Sequence, residues 1–144
     1  MTLIVVGLDG SEAGEKALAH AKRLARLIGD CELVLAFVIE WTPYSFHTPE
    51  ELAERHKRRE QEIDAAHSYV LSGPAKTAEA EGYRVVTVVR HGDPAALLDG
   101  IAREHGAAQI VVGRTGERGL RERLFGGVTG KLIALATVPV TIIP

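Results

Sequence analysis

Ala108-Gln-Ile-Val-Val-Gly-Arg-Thr-Gly-Glu-Arg-Gly-Leu-Arg-Glu-Arg-Leu-Phe-Gly-Gly-Val-Thr-Gly-Lys131 is the stretch whose reading decides the fold. It begins with a short β-branched run, Ile110-Val111-Val112, which reads as a buried strand. Glycines follow at 113, 116 and 119 with basic residues between them, and the pair Gly126-Gly127 opens a helical segment carrying Leu132, Ile133, Leu135 and Ala136. Strand, glycine loop and helix start in that order make a cradle for phosphate. Glycine admits the anion close to the backbone, and the unpaired N–H groups and dipole of a helix N-terminus favour negative charge. Taken alone, the same glycines also suit plain turns, so the far end of the chain has to be weighed with them.

Outward from this stretch, 144 residues with 46% apolar and 25% charged side chains describe one ordinary globular domain spanning 1–144. A formal net charge of −2 gives no sign of nucleic-acid or membrane-surface binding. Cys31 is the only cysteine, which excludes an internal disulfide, and its neighbours Asp30 and Glu32 raise its pKa, so an inert thiol is expected. No apolar run is long enough to span a membrane, and the N-terminus enters Leu3-Ile4-Val5-Val6 without a basic flank, so a soluble cytoplasmic protein is expected.

From the N-terminus, residues 3–8 read as a buried strand closed by Asp9-Gly10. Ser11 caps a helix with Ala17, Leu18, Ala21, Leu24, Ala25 and Ile28 on one face, ended by Gly29. Residues 32–39 are a second buried strand, followed by an aromatic loop from Trp41. Thr48, Pro49 and Glu51 spell a capping box for a highly charged helix, in which Gly73-Pro74 predicts a kink or break. Residues 83–89 are the third strand, and Asp93-Pro94 starts a helix running to about His105. The last strand is Val138-Pro-Val-Thr-Ile-Ile143, where Pro139 argues for a sheet edge.

Strands that are continuously apolar and alternate with helices specify a parallel sheet covered on both faces, a three-layer, Rossmann-like α/β/α fold. In such sheets ligands bind at the carboxyl ends of strands, where the winding reverses. Asp9-Gly10 sits at that end of the first strand and Gly113 at that end of the fourth. If the two strands are neighbours, a carboxylate faces a phosphate loop, which suits a ribonucleotide. The competing role for Asp9 is to close its own turn.

These residues resemble the universal stress protein family, over essentially the whole chain. The resemblance rests on Val5-Val6-Gly7-Leu8-Asp9-Gly10-Ser11, on Gly92-Asp93-Pro94, on Val138-Pro139-Val140, and on a glycine pattern of the nucleotide-binding branch. That pattern is Gly, two residues, Gly, nine residues, then Gly followed by Ser or Thr; here it is met by Gly113, Gly116 and Gly126. The resemblance implies a five-stranded sheet ordered 3-2-1-4-5, making the first and fourth strands neighbours. It also implies ATP or AMP in the crevice, with Mg2+ held by the phosphates. Adenine would pack near Val38 and Gly7-Leu8, the ribose near Asp9 and Gly113, and the phosphates along Gly116, Gly126, Gly127, Val128 and Thr129, with Val112 and Arg114 also among the nucleotide-binding residues. The departure is Gly127, where the family carries Ser or Thr. One missing hydrogen bond of roughly 0.5–1.5 kcal/mol weakens binding several-fold to about tenfold, so serine at 127 is expected to preserve or tighten it. Arg114, Arg118, Arg121, Arg123 and Lys131 are available to compensate, or else form a solvated face.

Gly126-Gly-Val-Thr-Gly-Lys131 is not a P-loop, since Phe125 replaces the first glycine and Leu132 follows the lysine; nor do the glycines keep dinucleotide spacing. The six histidines form no ligand-spaced pair, and no general base is identifiable. The expectation is an adenine-nucleotide-binding regulatory protein of the stress response, without dedicated catalysis and with at most weak ATP hydrolysis. The alternative is a dimeric interaction module that has lost nucleotide. The uncharged strand from Val138 to Ile143 is expected to pair with its copy in a homodimer.

Overall fold

The computed structural model describes residues 1–40, 48–114 and 127–144. In chain order it contains β1 (Thr2–Gly7), α1 (Glu12–Ile28), β2 (Cys31–Glu40), α2 (Pro49–Ala66), a π-helical turn (His67–Leu71), α3 (Ser72–Ala80), β3 (Arg84–Gly92), α4 (Pro94–His105), β4 (Gln109–Gly113), α5 (Gly127–Leu135) and β5 (Val140–Ile143). All five strands are parallel and ordered β3-β2-β1-β4-β5, as the resemblance implied.

Alternation along each strand sends side chains to two separate cores. Ile4, Val6, Leu33, Leu35 and Val111 pack under α1, the π turn and α3, against Ala17, Ala21, Leu71 and Ala75. Val5, Val34, Ala36, Ile110 and Val112 pack on the opposite face under α4 and α5, against Leu98, Ile101 and Leu132. Both faces of the central strands are therefore fully covered, which is why they read as unbroken apolar runs. Each fully buried aliphatic side chain such as Ile4, Leu35 or Ile110 contributes about 1.5–3 kcal/mol relative to exposure.

The helix starts follow the sequence. Ser11 accepts from the Gly14 N–H at 3.3 Å, and Asp93 from the Ala96 N–H at 3.1 Å. Thr48 and Glu51 form the reciprocal capping box, with Pro49 in the first turn. Two expectations need correction. No break occurs at Gly73-Pro74; the deviation is the π turn one turn earlier, where the Ser72 N–H donates to the His67 carbonyl five residues back. Pro74 thus falls in the first turn of α3, where its missing N–H costs little, and the widened turn gives its ring room beside the preceding carbonyls. The core shows the same register, because buried Ala66 and Leu71 lie five residues apart while Ala75 and Ala78 resume at four and three. Second, Pro139 lies just outside β5, where its carbonyl accepts from the Ile110 N–H at 2.9 Å. β5 is nonetheless at the edge of the sheet, next to β4 in the order of the described strands.

One buried polar group ties α4 to the turn between α5 and β5. Asp99 on α4 is 3% exposed. It accepts from the Thr137 N–H at 2.8 Å and from the Thr137 hydroxyl at 3.0 and 3.1 Å, with Arg103 Nε 3.3 Å away. This holds the turn that aims β5 along β4. Cys31 is buried, and its thiol is pushed up first by burial and then by the charges of Asp30 and Glu32. Asp99→Ala leaves two polar groups of Thr137 without their partner and is expected to lower unfolding free energy by about 2–4 kcal/mol, read from the urea midpoint.

Candidate functional site

Adjacency of β1 and β4 brings the two ends of the sequence together. The register pairs Ile4 with Gln109, Val5 with Ile110 and Val6 with Val111, so the chain leaves both strands side by side at their carboxyl ends. Gly7 closes β1 in tight packing: a β-carbon there would lie 3.0 Å from Val112 Cγ1 and 3.3 Å from Leu98 Cδ1. Leu8 is buried in the α1-side core, and its N–H continues the ladder to the Ala36 carbonyl at 2.8 Å.

Asp9 turns the chain from β1 into α1. Its Oδ1 accepts from the Ser11 N–H at 3.0 Å and from the Ser11 hydroxyl in a short contact. The turn-forming role considered for Asp9 is therefore present, whatever else the carboxylate does. Gly10 sits at φ +84°, a backbone state that glycine reaches without steric cost.

Gly113 is the tightest point of the site. A β-carbon there would fall 2.7 Å from both the Ala13 β-carbon and the Ala13 carbonyl oxygen. The first glycine of the spaced pattern is thus required by packing of β4 against the first turn of α1. Sequence reading missed Ala13, although the small pair Ala13-Gly14 just after the cap was its signal. Arg114 leaves β4 with its N–H on the Ile143 carbonyl at 2.7 Å.

Across the gap, α5 begins at Gly127, whose φ of +66° lies in the left-handed region. That gives Gly127 a backbone reason of its own: left-handed backbone costs a non-glycine residue roughly 1–2 kcal/mol of stability, to be set against the hydrogen bond that serine there is expected to add. Val128 packs on the α4-side core. Thr129 donates its hydroxyl to the Gly113 carbonyl at 3.0 Å, tying the start of α5 to the end of β4. Lys131, one of the basic residues considered for phosphate, pairs with Asp93 at 3.3 Å.

β2 and β3 run on past β1. Gly7 is level with Ala36, whereas pairing between β2 and β3 continues through Val38 with Arg90 to Glu40 with Gly92. This overhang of four residues, about 13 Å at strand rise, walls one side of the carboxyl-end crevice. Val38 stands on it, half-buried with the α4-side core. Arg90, level with Val38, is engaged on Glu104 by two bonds of 2.9 and 2.6 Å, which hold the Glu104 carboxyl below its usual range. The structure thus brings Gly7, Leu8, Asp9, Val112, Gly113, Arg114, Gly127, Val128 and Thr129 to one end of the sheet, with Val38 on the wall. Gly116, Gly126, Arg118, Arg121, Arg123 and the loop residues 41–47 lie outside the described residues. Among the described residues no group of three His, Cys, Asp or Glu side chains is placed to hold a metal ion.

The sequence matches the family described as the universal stress protein family over residues 1–144. A curated relative, universal stress protein YxiE of Bacillus subtilis, is 28% identical over 97% of this chain and 97% of its own length. The solved structure of the hypothetical protein MJ0577 is 25% identical, superposes with a TM-score of 0.80, and matches 99% of this chain and 94% of that one. A universal stress protein family protein of Arabidopsis thaliana, solved with AMP bound, has the same fold at a TM-score of 0.67, with 18% identity and coverage of 99% and 91%. The chain belongs to the universal stress protein family.

Proposed function

We propose that this protein is a regulatory protein that binds an adenine nucleotide, ATP or AMP, in the crevice at the carboxyl ends of β1 and β4. The observation that carries the reading is the meeting of Asp9-Gly10, Gly113 and the N-terminus of α5 at one point, with Thr129 bonded to Gly113. A related family member holding AMP supports the same reading. The N–H groups of Gly127 and Val128, with those of Gly116 and Gly126, are the proposed donors for phosphate. The Thr129 hydroxyl proton is spent on Gly113, so phosphate would have to displace that bond or rely on backbone donors. Mg2+ would be carried by the phosphates. A dedicated reaction is not part of the proposal, beyond slow ATP hydrolysis. No helix among the described residues is long and apolar enough to cross a membrane, and the proposed site of action is the cytoplasm, in a response to stress.

The second reading is a dimeric interaction module without nucleotide, and the left-handed Gly127 in place of a hydroxyl residue favours it. Both readings include a homodimer through the strand from Val138 to Ile143. Among the described residues β5 is paired with a strand on one side only; it carries no charge and leaves Val140 and Ile142 half-buried. Antiparallel pairing of two such edges would satisfy their backbone groups.

Calorimetry separates the readings. ATP, ADP or AMP is expected to bind with micromolar-class affinity, and Asp9→Ala to weaken it; no heat up to millimolar concentration leaves the interaction module. Gly127→Ser is expected to preserve or tighten nucleotide affinity, with a loss of stability of about 1 kcal/mol from the left-handed backbone; a clear loss of affinity would show that Gly127 is needed for its own backbone geometry. Light scattering at tens of micromolar is expected to give the dimer mass, and a monomer there removes the strand-pairing proposal.

A further inference from the structure

α5 belongs to two places at once. Its first residues, Gly127 and Val128, stand at the crevice, with the Thr129 hydroxyl on the Gly113 carbonyl at 3.0 Å. Helix geometry fixes what its other sides meet. Positions four apart share a face, and Val128, Leu132 and Ala136 all pack in the α4-side core. Lys131 and Ile133 leave on opposite sides of that face, each about 100° from Leu132. Lys131 turns to α4, where Asp93 holds it at 3.3 Å. Ile133 therefore points away from α4, toward the outer edge of β5, and is 68% exposed.

That exposed side chain lies beside a strand too short to make a dimer alone. β5 has four residues, about 13 Å at strand rise. A stable protein–protein interface buries roughly 1,200 Å² or more in total, so pairing two such strands needs apolar surface from the flanking elements. Antiparallel pairing about a two-fold axis makes one continuous sheet, in which each face of one copy continues into the same face of the other. On the α4 side that brings α5 beside α5 of the second copy. Ile133 is the large apolar side chain that α5 turns to that seam.

Seam and crevice are joined by more than this helix. The Ile143 carbonyl at the end of β5 accepts from the Arg114 N–H at 2.7 Å, one residue after Gly113. A nucleotide on the N–H groups of Gly127 and Val128 fixes α5 against Gly113. A second copy on Ile133 and β5 fixes the same helix from its outer side. Whichever arrives second finds α5 already ordered, so the coupling is positive and acts equally in both directions. We infer, given the nucleotide-binding and strand-pairing readings above on which this rests, that Ile133 anchors an α5–α5 contact in the homodimer and that an adenine nucleotide tightens the dimer through α5.

Sedimentation equilibrium on the full chain, with and without saturating ATP or AMP, tests this. Nucleotide is expected to lower the dimer dissociation constant by roughly fivefold or more. Ile133→Glu, at an exposed position and checked for folding by circular dichroism, is expected to be monomeric at tens of micromolar, and Ile133→Leu to stay dimeric. In calorimetry the monomeric variant is expected to bind ATP more weakly than the wild-type dimer. The square of that factor, one for each protomer's site, is the expected tightening of the dimer. The inference is overturned if Ile133→Glu dimerises like wild type, if nucleotide leaves the dimer constant unchanged or raises it, or if the monomeric variant binds ATP as tightly as the dimer. Those results leave both earlier readings standing. Wild-type protein that binds no nucleotide, or stays monomeric, removes the reading itself and this inference with it.

Discussion

At the end of β4 the backbone passes so close to Ala13 that no side chain fits at Gly113, and the arrangement around the crevice depends on that approach. It seats β4 against the first turn of α1 while β4 is hydrogen-bonded to β1, so the two carboxyl ends emerge together. From there Thr129 fastens α5 to Gly113, and Arg114 fastens the outgoing chain to Ile143. A methyl group at 113 would have to displace backbone rather than a flexible side chain, and backbone in a packed helix does not yield cheaply. The glycine that looks like a ligand-binding residue is first a packing residue, and Ala13 fills the place its side chain would take.

The two cores explain why this tightness is sustained. α1 presses one face of the central strands and α4 with α5 the other, so β1 and β4 are held from both sides. The last link is polar: Asp99 reaches from α4 to Thr137 and sets where β5 begins. A buried carboxylate is tolerated there because Thr137 supplies hydrogen bonds and Arg103 a counter-charge, the condition under which burying a charge is not prohibitive. β5 then depends on a polar clamp at its start and on β4 along one side, and among the described residues no strand pairs with its other side.

Local rules made most of the fold legible. Buried β-branched runs, serine, threonine and aspartate caps, and prolines at helix starts place the elements to within a few residues, because each depends on the immediate sequence. The strand order became readable only when the glycine pattern and the Asp9 turn were joined to a family resemblance. What stayed hidden was whatever depends on contacts between distant residues: the Asp99–Thr137 clamp, the need for a small residue at 13, and the engagement of Lys131 by Asp93.

By itself the sequence determined the element types, the parallel sheet and the candidate crevice, since hydrophobic period and capping chemistry act over a few residues. Only the tertiary structure decided how Pro74 is accommodated, because a π turn is a compromise between one proline and the spacing of Ala66, Leu71, Ala75 and Ala78 against the sheet. Only it decided that Gly127 is left-handed and Gly113 sterically obligatory, because backbone angles at a strand end and a helix start are set by what those elements pack against. Residue identity says what glycine permits; the neighbouring elements decide which permission is used.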